Sequence, residues 1–120
     1  MQNLEQIRAH SALNFANQGA VSGDKGGEVI KKIAPLILNH GLLATAAYSF
    51  TEKDGWQRVF DAIARHLADK EVAIVSSEVK DRQSLMKILT EAGTSSETLK
   101  LATAETMAWL NYARRFVKKA

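Results

Sequence analysis

The chain has 120 residues, no cysteine, 46% hydrophobic and 24% charged residues, the make-up of one ordinary globular domain. Disulfides, thiolate metal sites and a cysteine nucleophile are excluded, and a reducing cytoplasm is the natural home. The net charge is +3, yet Arg114, Arg115, Lys118 and Lys119 together carry more than that, so the basicity is local and the rest of the chain is slightly acidic. The N-terminus has no apolar core of signal-peptide length, and the longest apolar run, Ile33 to Leu38, is far short of a membrane span.

Helical spacing runs from end to end. Leu4, Ile7, Ser11 and Phe15 fall on one face of a first helix over about residues 2–18. The stretch GAVSGDKGG (19–27) then breaks it with glycines and reads as a flexible loop. It lacks the GxxxxGK[ST] order of a phosphate cradle, and no strand precedes it. A second helical region starts near Glu28, with Ile30, Ile33, Ile37 and Leu38 inward. Pro35 marks a kink or a new start, and Gly41 offers a second break or a close helix contact, so the region is two helices or one bent helix ending near Phe50. After the polar TEKDG, with Thr51 or Asp54 as cap, Trp56, Val59, Phe60, Ile63 and Leu67 form an i, i+3, i+4, i+7 stripe. On the outer face of that helix Asp61, Arg65 and Asp69 are spaced by four, which suits surface ion pairs.

VAIVSSEV (72–79) is rich in β-branched residues, but a lone strand in a helical chain has nothing to pair with, so it is expected as loop or irregular helix. DRQSLMKILTEAG reads as a short helix capped by Asp81 or Ser84 and stopped at Gly93. Thr94 and Glu97 have capping-box spacing and open a long last helix, in which Ala102, Thr106, Trp109, Leu110, Ala113, Phe116 and Val117 share a face. The predicted fold is all-α, a single-domain bundle of about six helices over residues 1–120.

Few residues suggest catalysis. His10, His40 and His66 lie on separate elements, without the spacing that sets two imidazoles on one helix face for a metal, and read as surface or satisfied core histidines. The carboxylates Glu5, Glu28, Glu52, Asp54, Glu71, Glu78 and Asp81 sit mostly at helix ends and loops, where they cap or complement helix dipoles. No acid/base pair, metal site or cofactor site is evident, and an enzyme is not expected.

The basic residues carry more information. At 100° per residue Lys100, Arg114 and Lys118 project within about 40° of one another, with Arg115 and Lys119 on the adjoining face. Cations in the last turns also complement the helix dipole, which accounts for part of this charge without a partner. Arg8, Lys31 and Lys32 would extend the ridge if their helices pack beside the last one. Such a surface would contact a phosphate backbone regardless of base sequence. Trp109 and Phe116 have the spacing of core residues, which leaves Tyr112 as the exposed aromatic. A helical adaptor binding an acidic protein partner would present the same ridge.

The last segment, LATAETMAWLNYARRFVKKA, resembles the C-terminal pattern of the small helical subunit of type III-B CRISPR (Cmr) effector complexes, with Ala102, Thr103, Glu105, Leu110, Arg115 and Phe116 matching. LEQIRA with Arg8, KIAPLILNHGLLATAAY and DGWQRVFDAI resemble other pieces of that family in the same order. Tyr112 stands where the family usually has Trp, Arg114 replaces a common Lys, His40 interrupts the usual Asn-Gly pair, and the 19–27 linker is longer. The resemblance implies a non-catalytic subunit without cofactor. It would stack head to tail with copies of itself beside other Cmr subunits and help hold target RNA along the guide RNA. Arg8, Lys32, Arg114, Arg115 and Lys118 are the residues expected to face RNA.

Overall fold

The computed structural model describes residues 3–17, 27–52 and 54–117, which form six helices and, among the described residues, no strand. Helix α1 (Leu4–Ala16) starts at Asn3, whose side chain accepts from the Gln6 backbone N–H while Gln6 reciprocates at the Asn3 N–H. This is a capping box, which satisfies two of the donors left over at a helix start. Helix α2 spans Gly27–His40 and α3 spans Leu42–Ser49. Pro35 does not interrupt α2; it lies on the exposed face, where water can meet the carbonyl its missing N–H leaves unpaired. The break falls at Gly41, whose φ of 88° lies in the left-handed region that favours glycine. The predicted loop at 19–27 lies almost wholly outside the described residues; Gly27 itself opens α2.

Helix α4 (Asp54–Ala68) buries Trp56, Val59, Phe60, Ile63 and Leu67, as their spacing predicts. Thr51 does not cap it, since its hydroxyl donates back to the Tyr48 carbonyl at 2.8 Å. Residues 72–79 form neither strand nor helix. They turn back beneath α4, with the Ile74 and Val75 N–H groups donating to Leu67 O and with Val75 and Val79 buried in the core. Helix α5 (Arg82–Thr90) is capped by Asp81, whose carboxylate accepts from the Ser84 N–H at 2.8 Å. The Arg82 guanidinium lies 4.0 Å over the Phe50 ring and donates to Ser49 O; it ties α5 to the end of α3.

The last helix, α6 (Ser96–Phe116), begins one residue later than its Thr94/Glu97 spacing suggests. Ser95 is the N-cap and accepts from the Thr98 N–H, because the Thr94 hydroxyl is spent on Ile88 O. Helix α6 is the axis of the fold: it packs against α1, α2, α3 and α4, with its largest interface to α1. Trp109, Leu110, Ala102 and Ala113 on its inner face are almost fully buried. No helix among the described residues is long and apolar enough to cross a membrane.

Candidate nucleic-acid interface

Adjacency of α1 and α2 to α6, which the ridge required, is present. Near its C-terminal end α2 meets the first half of α6, where His40 and Gly41 share a shallow groove with Leu99, Lys100 and Thr103. Lys31 and Lys32 on α2 and Lys100, Arg114 and Arg115 on α6 are all exposed, and none forms an ion pair with a described residue. Among the described residues nothing neutralises their charges, which leaves them to act on a partner. Lys118 and Lys119 lie outside the described residues.

Arg8 is placed differently. Its Nε and Nη2 donate to the two carboxylate oxygens of Glu105 at 2.8 and 2.7 Å, a bidentate pair. That hydrogen bond raises the pKa of Arg8 further, and about a quarter of the Arg8 side chain, 26%, remains exposed against 4% for Glu105. His66 on α4 completes a triad, its Nε2 lying 2.8 Å from a Glu105 oxygen. Burial pushes the Glu105 carboxyl upward, but the hydrogen bonds from Arg8 and His66 outweigh it and hold the group below its ordinary range. For His66 the balance is reversed, since burial outweighs the Glu105 carboxylate and lowers the pKa. The imidazole is neutral near pH 7, and its Nε2–H donates to Glu105.

Two further pairs flank the triad and fasten α1 to α6. The Trp109 indole N–H donates to Ser11 Oγ at 3.1 Å, and the Tyr112 hydroxyl donates to Glu5 at 2.6 Å. Trp109 packs its ring on Phe15, with centroids 5.3 Å apart. Tyr112 is half-buried, and its ring stacks along Phe116. Glu5, Arg8 and Ser11 follow one another at three-residue steps, so one edge of α1 docks by polar contacts while Ile7, Ala12 and Phe15 supply the apolar ones. Leu4, expected inside, is exposed.

Glu105 is the residue the sequence reading missed among the acids. The available signal was its position beside Thr106 and four residues before Trp109, which puts a carboxylate on the buried stripe of α6. His10 and His40 are exposed. Arg65 forms no ion pair with Asp61 or Asp69; Asp61 instead accepts from the Arg82 backbone N–H at 2.7 Å. Among the described residues no group of three or more His, Asp or Glu side chains could hold a metal ion.

Comparison with known proteins agrees with this architecture. The sequence model of one family, CRISPR-associated protein (Cas_Cmr5), matches residues 4–120. The crystal structure of a CRISPR-associated Cmr5 family protein from Thermus thermophilus superposes with a TM-score of 0.74 at 20% identity, covering 96% of this chain and 95% of that one. At that identity the likeness bears on the fold. No curated protein matches the chain.

Proposed function

Because the chain belongs to the Cas_Cmr5 family, and so is a small subunit of a type III-B CRISPR Cmr complex, we propose that it works as a non-catalytic element that helps hold target RNA along the guide. The observation that carries this reading is the set of exposed cations on the packed helices α2 and α6, Lys32, Arg114 and Arg115, which no described carboxylate neutralises. Cations without intramolecular partners suit contacts to a phosphate backbone, which are sequence-independent and salt-sensitive. Lys118, which lies outside the described residues, is added to them from its place in the basic C-terminal sequence. Arg8 stands at the edge of this group as a half-neutralised contact, because Glu105 already takes two of its N–H donors.

In the same reading copies of the subunit stack head to tail beside the other Cmr subunits, in the cytoplasm. The subunit would position RNA and leave cleavage to its partners. Exposed apolar side chains such as Leu38, 77% exposed, and Leu101, 56% exposed, are available for subunit contacts.

The test uses a complex reconstituted with the remaining Cmr subunits and loaded with guide RNA. Replacing Arg114 and Arg115 together by Ala should weaken target-RNA retention and lower the salt slope by about two, with helical content unchanged because both side chains are exposed. Unchanged retention and slope would overturn the RNA-holding reading. Loss of a subunit from the complex at intact RNA affinity would favour the adaptor reading, in which the ridge meets an acidic protein.

A further inference from the structure

We propose that the open groove between the end of α3 and helix α5 is a stacking site for an unpaired base of an RNA strand. The site rests on the RNA-holding reading for its ligand, while its residues are separate from the cations of α2 and α6. The groove has a volume of about 620 Å³, and its lining includes Phe50, Lys80, Gln83, Met86, Lys87 and Thr90.

Phe50 is the C-cap residue of α3 and stands outside the core cluster. Ending a helix requires no aromatic side chain. The Arg82 guanidinium covers one face of the ring, 4.0 Å from its centroid, and is held there by its 2.8 Å hydrogen bond to Ser49 O. Phe50 is nevertheless 44% exposed, so its exposure falls on the opposite face and the edge of the ring. The contact with Arg82 accounts for the covered face and leaves the open one without a structural task. It also fixes the ring, so that a base added to the open face meets a preorganised platform.

The charge around the ring selects an anion. Lys80 and Lys87 are exposed, and neither forms an ion pair with a described residue. Asp81 is the only acid among the lining residues, and its carboxylate is turned to the Ser84 N–H and hydroxyl. An open π face and an excess of positive charge thus share one groove. A ligand that suits both carries a flat ring and an anion in one unit, as every nucleotide of a single strand does. An acidic peptide would answer the lysines and leave the ring face unused. Gln83 and Thr90, both exposed, add hydrogen-bonding groups, and Met86 adds polarisable apolar surface. Stacking of this kind tolerates any base, so the strand is held without being read.

The full chain, with its phenylalanine rings labelled with carbon-13, is titrated with a short oligoadenylate, with an abasic strand of the same length and with an oligoglutamate of the same charge. A saturable upfield shift of the Phe50 ring protons is expected with oligoadenylate alone, because only a stacked base places its ring current over them. In anisotropy titrations of a labelled oligoadenylate, Phe50→Leu should bind about tenfold more weakly, and Phe50→Trp at least as tightly as the parent. Lys80→Ala combined with Lys87→Ala should lower the salt slope by about 1.4. An equal Phe50 shift with the abasic strand or the oligoglutamate would overturn the site, since attraction of an anion would then suffice. No Phe50 shift in any titration, or undiminished binding by Phe50→Leu, would overturn it as well. The Arg114 and Arg115 side-chain signals are followed in the same samples. Oligoadenylate shifts there without one at Phe50 overturn this site and leave the RNA-holding reading standing; a shift at Phe50 without one at the arginines supports this site and counts against the role given to those arginines.

Discussion

His66 and Glu105, thirty-nine residues apart in the chain, meet at 2.8 Å inside the bundle, where a neutral imidazole donates to a buried carboxylate. Arg8 grips the same carboxylate from the other side. A helix from each end of the chain and one from its middle are thereby held at a single acid.

Removing that acid should be costly. Glu105→Ala leaves a guanidinium and an imidazole without their acceptor, and destabilisation of about 3 kcal/mol is expected in urea unfolding. Arg8→Ala should cost less than Glu105→Ala, because Arg8 is partly exposed and His66 still serves the carboxylate. Equal stability of the Glu105→Ala variant and the parent would show the triad to be incidental.

Stability should fall on acidification in two windows. His66 has its folded pKa lowered, so its contribution is complete above its unfolded value of 6.5 and is lost as pH drops from there toward the folded value. Glu105 is also lowered, so its contribution is complete above 4.5 and is lost as pH falls through the folded value below it. Thermal midpoints measured from about pH 8 to about pH 3 should be flat at first, decline below about pH 6.5 and decline again below about pH 4.5. A His66→Gln variant should lack the upper decline; an upper decline of undiminished size in that variant would move its origin to other groups.

Asp81 caps α5 through its carboxylate to the Ser84 N–H and hydroxyl, at 2.8 and 2.7 Å. The backbone hydrogen bond from Ser84 is also the first cause of its lowered pKa. Asp81→Ala should cost about 1 kcal/mol, and Asp81→Asn much less, because Asn caps nearly as well. Equal losses in the two variants, read from chemical denaturation, would show that charge and not capping holds the residue.

Gly41 separates α2 from α3 at a φ of 88°, with open space where a Cβ would stand. Gly41→Ala should therefore destabilise by about 1–2 kcal/mol through backbone conformation alone. The loss should be as large for Gly41→Asn, because at φ 88° and ψ 164° the backbone lies outside the αL well that Asn tolerates. Thermal melts of the two variants check this; a neutral Gly41→Ala would place the break elsewhere.

The course of α4 and α6 was legible because each is a long amphipathic helix whose buried residues recur at helical spacing, and Asp81 was legible as a cap because capping is settled within four residues. Local chemistry also located the ends of α2 and α3 near Gly41, though it overrated Pro35, whose exposed position tolerates the lost N–H, and chose Thr94 over Ser95, since only the fold turns the Thr94 hydroxyl to Ile88 O. The exposed cations on α2 and α6 were readable as charges off the apolar stripe. That their two helices pack together was not, because it depends on which helices dock on α6.

By itself, then, the sequence determined an all-helical chain with a basic last helix, since periodicity, caps and charge act over a turn or two. Tertiary structure alone decided that Arg8 pairs with Glu105 from 97 residues away, that His66 is neutral with one nitrogen unpartnered among the described residues, and that Leu4 faces outward. Those outcomes depend on burial and on the meeting of distant side chains, and neither is written in local spacing.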